Sequence, residues 1–97
     1  MMLIKSIRWT VDREAHIARH NLLPDEVEEA IFSDQQGKTF FVSQARRNKE
    51  EKVYAYLGRT GGGRYIKFIY IYEGYGVAFP VMALDMSKTE RRIYHGK

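Results

Sequence analysis

The sequence contains no cysteine in its 97 residues, so disulfide bonds, thiolate metal sites and a cysteine nucleophile are all excluded. It also has no apolar run approaching the ~20 residues that a helix needs to span a bilayer. The apolar stretch at residues 1–4 is too short for the core of a signal peptide, and we find no internal repeat, linker or low-complexity segment. These absences predict a protein of the cytoplasm that does not associate with membranes.

The composition is that of an ordinary folded domain. Apolar residues make up 44% and charged residues 29% of the chain, which is typical of globular rather than disordered proteins. A chain of this length forms one domain, here residues 1–97, around a single modest core. The net charge of +4 favours an acidic or polyanionic partner without identifying it.

Helical patterns occupy the first third of the chain. Thr10 or Asp12 can cap a first helix, and Asn21, which tolerates a left-handed conformation, ends it. Pro24 lies in the first turn of a second helix. The apolar stripes that we expect to be buried are Val11, Ala15, Ala18 and Leu22 in the first helix and Val27, Ala30 and Ile31 in the second.

Strand patterns follow, and one helix closes the chain. Strands are predicted at residues 39–43, 53–59, 64–72 and 77–84, and residues 3–9 can add a short edge strand. The nearly continuous apolar run at 65–72 predicts the central strand, whereas 44–52 is polar enough to be a loop. Ser87 and Glu90 form a capping box that begins the last helix. We therefore expect an α+β fold with two N-terminal helices, an antiparallel sheet of four strands, or five if the edge strand pairs, and a C-terminal helix.

A glycine-rich hairpin carries two arginines, Arg59 and Arg64, on either side of residues 60–63. Like charges placed together across a hairpin cost stability, and a bound phosphate would offset that cost because guanidinium groups bind its oxygens bidentately. The alternative is a pair of solvated arginines beside a flexible loop. The segment lacks the lysine and hydroxyl residue that end a nucleotide-binding P-loop.

Two histidines, His16 and His20, lie four residues apart on the first helix, with Asp12 one turn earlier. This spacing can hold a metal ion, but Ile17 stands where the H-E-x-x-H motif has its glutamate, so we expect no metal. Histidine changes protonation near neutral pH and is a natural proton-transfer group for RNA cleavage. The alternative for both residues is an ordinary position on the helix surface.

Other basic and aromatic residues suggest contacts with a nucleic acid strand. Trp9 can stack on a base while Lys5 and Arg8 hold phosphate, although a single tryptophan between a strand and a helix is more often part of the core. Arg91 and Arg92 lie in the last helix. They either interact favourably with the negative C-terminal end of the helix dipole or extend the positive surface of the protein.

Three segments together resemble the BrnT family of small bacterial ribonuclease toxins. They read IRWTVDRE at 7–14, continuing to ARHN at 18–21, then YLGRTGGGR at 56–64, and MSKTERRIY at 86–94. The resemblance covers nearly the whole chain and implies a RelE-like fold. It also implies a toxin of a type II toxin–antitoxin pair, a metal-independent endoribonuclease without cofactors that cleaves mRNA and inhibits translation. The partner would be a BrnA-like ribbon-helix-helix antitoxin, bound in a hetero-oligomer.

The resemblance assigns roles to particular residues. Gly58-Arg59 and Gly63-Arg64 match the family's glycine–arginine positions, and His20 aligns with the histidine of its K/R-H element. The expected catalytic residues are therefore His20, Arg59 and Arg64. From the basic and aromatic residue types themselves, the expected RNA-binding residues are Lys5, Arg8, Trp9 and Arg91.

One position departs from the family pattern. The family commonly has alanine–arginine at the end of the last strand, whereas this chain has Ala83-Leu84-Asp85. A cation is therefore missing, and Asp85 brings negative charge near the expected phosphate. Two other functions stay open: a non-catalytic RNA- or protein-binding module on the same fold, and a metal-dependent hydrolase built on His16 and His20.

Overall fold

The computed structural model describes residues 4–96, in which helices and strands follow the order βααββββα. The strands are β1 (Ser6–Ile7), β2 (Lys38–Gln44), β3 (Lys52–Arg59), β4 (Tyr65–Gly74) and β5 (Val77–Asp85). The helices are α1 (Val11–Ala18), α2 (Pro24–Phe32) and α3 (Lys88–Tyr94). Leu3, the first residue of the expected edge strand, lies outside the described residues. The α+β class is confirmed, and the segment that begins the described residues forms a fifth strand, which the sequence left open.

All five strands form one sheet in the order β1-β5-β4-β3-β2. The pairs from β2 to β5 are antiparallel, and β4 is central as predicted. The expectation of a wholly antiparallel sheet is wrong, because β1 pairs parallel to β5, with Ser6 beside Val77. Two helices separate β1 from the rest of the sheet, so no hairpin forces the antiparallel direction, and side-chain alternation does not specify strand direction.

The two faces of the sheet are covered differently. On one face, Ile66, Phe68 and Tyr70 of β4 form the main core with residues from α1 and α2. On the other face, α3 covers only one end, where Leu57, Met86 and Tyr94 form a small second cluster against Tyr65. The alternation of side chains along β4 therefore places Tyr65 on the partly open face.

The predicted helix ends are confirmed. The Thr10 hydroxyl accepts a hydrogen bond from the Arg13 amide at 3.1 Å, and Ser87 and Glu90 form the capping box. Asn21 has φ 58°, the left-handed conformation that ends helices. No helix in residues 4–96 is long and apolar enough to cross a membrane.

The expected buried stripe of α1 is wrong. Val11 is 85% exposed, and Ala15 and Ala18 are also exposed. Ile17 is the one fully buried residue of this helix, and Leu22 beyond its end is buried as predicted. A helix of two turns needs only one strong anchor against the sheet, so its apolar alanines do not define the buried face. In α2 the stripe of Val27, Ala30 and Ile31 is confirmed.

A cluster of charged side chains ties the loop before β3 to β1 and β4. Arg8 donates two hydrogen bonds to the Glu73 carboxylate, at 2.7 and 2.6 Å, and Arg47 donates another at 2.8 Å. Both guanidinium groups also lie over the Phe79 ring, with Cζ at 4.5 and 4.7 Å from its centroid. The hydrogen bonds from Arg8 contribute most to lowering the pKa of Glu73, from the usual 4.5 to about 2.

We expect this carboxylate to contribute to acid sensitivity. Because its pKa is lowered on folding, Glu73 stabilises the fold fully above pH 4.5, and that contribution is lost as the pH falls toward 2. The melting temperature of Glu73→Gln should therefore depend less steeply on pH in this window than that of the wild type. Glu14→Gln, on the exposed side of α1, is the matched control. Identical pH profiles for wild type and Glu73→Gln would contradict the assignment.

Candidate nucleic-acid interface

The β3–β4 hairpin is held in one shape by its own hydrogen bonds. The amide of Thr60 donates to the Arg64 carbonyl at 2.9 Å, and the Gly63 amide donates to the Thr60 carbonyl at 3.0 Å. Gly63 has φ +94°, a conformation that favours glycine. The register pairs Arg59 with Tyr65, so Arg64 belongs to the loop and does not lie opposite Arg59.

Four side chains meet where the hairpin approaches the end of α3, and we call them the Tyr65 cluster: Arg59, Tyr65, Arg91 and His95. The Cζ atoms of Arg59 and Arg91 lie 4.5 and 4.7 Å from the centroid of the Tyr65 ring. The Tyr65 hydroxyl and His95 Nε2 are hydrogen-bonded at 2.8 Å. One aromatic ring thus holds two cations and an imidazole together at an exposed position.

The two cations of the Tyr65 cluster carry no ion pair within residues 4–96, where the salt bridges involve other basic residues. The Arg59 side chain donates one hydrogen bond, from Nε to the Gly63 carbonyl at 3.3 Å. Each guanidinium group has five N–H donors. Most of their hydrogen-bonding capacity is therefore free to receive an anion such as a phosphate or a carboxylate.

Asp34 fixes the backbone beneath the Tyr65 cluster. Its Oδ2 accepts hydrogen bonds from the Arg59 amide at 2.8 Å and from the Tyr94 hydroxyl at 2.6 Å. Burial, together with the hydrogen bond to Asp34, raises the pKa of Tyr94 far above its usual value, so this hydroxyl stays protonated and donates. Asp34 thereby joins the end of β3 to α3 and holds Arg59 near Arg91.

A close approach of α2 to β3 supports the same end of the sheet. A Cβ atom at Gly58 would lie 2.5 Å from the Ala30 carbonyl oxygen, so a larger residue there would force the helix away. This packing explains why the residue before Arg59 is a glycine, independently of any loop flexibility.

The cluster can support general acid–base chemistry on a bound phosphate. When Nε2 of His95 is unprotonated the Tyr65 hydroxyl donates to it, and when Nε2 carries a proton it donates to the hydroxyl. Either arrangement orients the imidazole against Tyr65, whose ring centroid lies 5.5 Å from that of His95. A proton-transfer group and charge stabilisation thus occur together.

Arg64 is engaged elsewhere, which corrects the expectation that it shares an anion with Arg59. Its Nε donates to Asp85 Oδ1 at 2.9 Å, Nη1 to the Asn21 carbonyl at 2.8 Å and Nη2 to the His20 carbonyl at 3.1 Å. A longer contact of 3.4 Å reaches Glu26. The side chain therefore joins the turn after α1 to β5 as a structural bridge.

His20 is exposed on the turn that ends α1. Its backbone carbonyl accepts from Arg64, but among residues 4–96 no hydrogen bond to its imidazole is found. His16 is half-buried, and this part of the chain contains no group of three residues of the histidine or carboxylate type that could hold a metal ion. The structure does not bring the His20 imidazole into the Tyr65 cluster.

The other expected RNA-binding residues lie apart from this cluster, except Arg91. Trp9 donates from Nε1 to Glu28 at 3.1 Å and packs against the main core, on the opposite face of the sheet from Tyr65. Arg8 is paired with Glu73 at the far end of β4, roughly 25 Å of strand away from Tyr65. The stem of Lys5 lies against Gly76, beside β5.

His95 and Tyr65 are the members of the site that sequence reasoning missed. The hairpin register would have revealed that Tyr65 faces Arg59. No comparable local signal exists for His95, because its contact depends on how α3 docks on the sheet.

Comparisons with known proteins add no family assignment, since no protein-family model matches the chain and no curated protein matches it significantly.

Proposed function

We propose that the chain is the toxin of a type II toxin–antitoxin pair, a metal-independent endoribonuclease that cleaves mRNA in the cytoplasm and inhibits translation. The observation that carries this proposal is the Tyr65 cluster, in which Arg59 and Arg91 flank a Tyr65–His95 hydrogen bond. The resemblance to BrnT toxins and the βααββββα order support a RelE-like assignment of the fold.

The proposed reaction is attack of a ribose 2′-hydroxyl on the adjacent phosphorus. The 2′-O–P bond forms, the bond from phosphorus to the 5′-oxygen of the next nucleotide breaks, and that oxygen receives a proton. A base must take the 2′-proton, an acid must protonate the leaving oxygen, and cations must stabilise the extra charge on the phosphate oxygens. No metal is required by this chemistry.

Within this scheme Arg59 and Arg91 bind the phosphate, His95 takes the 2′-proton as the general base, and solvent water protonates the leaving 5′-oxygen. Tyr65 orients His95 through the 2.8 Å hydrogen bond, and its ring contacts both guanidinium groups. His20, which the sequence predicts as the proton-transfer residue, is the alternative to His95 in this role. Arg64 positions the hairpin rather than the phosphate, because its donors are occupied.

The proposed partners are RNA and a cognate BrnA-like ribbon-helix-helix antitoxin. The antitoxin is proposed on the resemblance alone. The net charge of +4 is compatible with either RNA or an acidic polypeptide as a partner.

A second candidate function is a non-catalytic RNA- or protein-binding module. The observation that favours it is the ion pair between Arg64 and Asp85 at 2.9 Å. It neutralises one of the two arginines that the resemblance assigns to catalysis, next to Leu84, where the family carries a further arginine. Such a module would bind RNA through the Tyr65 cluster without cleaving it.

Inducing this chain alone in a bacterium should arrest growth, because uncontrolled mRNA cleavage stops translation. Co-expression of the neighbouring reading frame should restore growth. The purified chain should also cleave a defined RNA equally well with and without EDTA.

Three other outcomes have different meanings. Unimpaired growth with folded protein accumulating, together with RNA binding but no cleavage, would replace the toxin by the binding module. Loss of cleavage in EDTA and recovery with zinc would support the metal-dependent hydrolase on His16 and His20. Absence of both binding and cleavage would reject RNA as the substrate.

A further inference from the structure

A cleft of about 500 Å³ adjoins the Tyr65 cluster. It lies between the end of α2, the hairpin and α3, and its lining residues are Glu29, Ser33, Asp34, Arg59, Thr60, Gly61 and Tyr94. The volume falls within the roughly 300–1,000 Å³ of typical small-molecule sites. Because Arg59 belongs to both, a ligand whose phosphate lies on the Tyr65 cluster can extend into this cleft.

Some polar groups of the cleft already have hydrogen-bond partners within the protein, whereas others are free to bind a ligand. Asp34 is satisfied, since it accepts from the Gln36 and Arg59 amides and from the Tyr94 hydroxyl. Glu29 accepts one hydrogen bond through Oε2, from the Gly61 amide. Within the described part of the chain its Oε1 has no donor, so Glu29 offers the open acceptor.

Ser33 adds a potential donor beside that acceptor. It follows Glu29 by one helical turn, and its amide donates to the Glu29 carbonyl at 3.0 Å. Residues spaced by four on a helix lie on the same side, which places the exposed Ser33 hydroxyl near the Glu29 carboxylate. In residues 4–96 no hydrogen bond occupies this hydroxyl.

The charges of the cleft restrict what it can bind. Glu29 and Asp34 disfavour an anion deep in the cleft, and Arg59 disfavours a cation beside it. A suitable ligand is therefore neutral and rich in N–H donors at the Glu29 end and anionic at the Arg59 end. Nucleotides have this division between base and phosphate.

We propose that this cleft reads a guanine base whose phosphate is held by the Tyr65 cluster, so that the chain prefers guanine nucleotides and cleaves RNA beside guanine. The inference rests on the proposed ribonuclease function and adds its base specificity.

Guanine fits because of the donor pattern on its Watson–Crick edge. It presents two adjacent donors, N1–H and the N2 amino group, which a carboxylate accepts together through its two oxygens. Adenine and cytosine pair a single amino donor with a ring acceptor that would repel the second carboxylate oxygen. Uracil has one N–H between two carbonyls. The Ser33 hydroxyl can in addition donate to guanine O6.

Gly61 keeps the acceptor in position without blocking it. A Cβ atom at residue 61 would lie 3.0 Å from Glu29 Oε2, so a side chain there would press on the carboxylate. The glycine also lets the hairpin backbone approach and bind Glu29 through its amide.

The test measures binding of the four ribonucleoside 3′-monophosphates by calorimetry. The wild type should bind the guanosine form about tenfold or more tightly than the adenosine form, the scale of a good bidentate base contact. Glu29→Gln should abolish this preference while keeping the affinity for the adenosine form. Glutamine retains an acceptor for the Gly61 amide, so the melting temperature should be unchanged. Glu50→Gln, exposed in the loop before β3, should behave like wild type.

The possible results separate this inference from the proposed function. Equal binding of all four nucleotides, lost in Arg59→Ala, would overturn guanine recognition and leave the phosphate site intact. A guanine preference that persists in Glu29→Gln would also overturn it. Absence of binding by any nucleotide would reject both the inference and the phosphate site. Mapping the RNA cleavage positions provides an independent readout, in which Glu29→Gln should cut without regard to guanine.

Discussion

Replacing Arg59 with alanine should reduce RNA cleavage by about 10²-fold or more, the scale on which losing one preorganised charge-stabilising group is felt. The guanidinium group lies over Tyr65 and has no carboxylate partner within residues 4–96. An exposed cation–π contact contributes only about 0.5–1 kcal/mol. The Asp34 hydrogen bond is made by the Arg59 backbone amide and survives the substitution. Activity should therefore fall far more than stability.

The matched control is Arg46→Ala, which removes the same charge from an exposed position in the loop before β3. Cleavage of a defined RNA and thermal melting are measured for both variants. If both variants reduce cleavage equally, the loss comes from the lower net charge, and the assignment of Arg59 as a phosphate-binding residue is wrong.

The same cleavage assay compares the two histidines. His95→Ala should lose activity on the scale of 10²-fold or more expected for a general acid or base, whereas His20→Ala should not. The reverse result would restore the choice made from the sequence and would exclude His95 from the reaction.

The sequence predicts the elements well where local chemistry decides them. The capping box at Ser87 and Glu90, the left-handed Asn21 and the strand alternation of β4 all depend on neighbours within a few residues. The parallel pairing of β1 with β5 was missed because it joins residues about 70 positions apart through backbone groups that every residue carries. The buried face of α1 was missed because small apolar residues suit either environment.

The candidate site was predicted only in part, for a related reason. Arg59 and Arg91 could be named from the sequence as cations, but their meeting depends on Tyr65 lying between them. The hairpin register, which pairs Arg59 with Tyr65, cannot be read from the spacing of the two arginines. The structural contacts of Arg64 could not be predicted, because its partners come from distant turns and strands. Whether an arginine is paired within the protein or free to bind a ligand depends on its tertiary contacts, which the residue type alone does not reveal.

Replacing Arg64 with alanine should lower the stability of the fold by about 2 kcal/mol, which is the scale of one hydrogen bond involving a charged group. Solvent screening keeps the sum of its several exposed bonds near this value. The side chain is only 28% exposed, and its loss leaves the Asn21 and His20 carbonyls without their donors. For a domain of this size such a loss lowers the melting temperature by roughly 10 °C.

The control for Arg64 is Asp85→Asn, which weakens the ion pair and leaves the bonds to the two carbonyls in place. The Asp85 side chain is 60% exposed, so this variant should lose less than about 1 kcal/mol. Activity is then compared per folded molecule, at a temperature where each variant is fully folded. Arg64→Ala should retain most of its cleavage there, since the guanidinium group binds the protein rather than phosphate. If it melts like wild type but no longer cleaves RNA, Arg64 binds the substrate, and its bridge from α1 to β5 does not stabilise the fold.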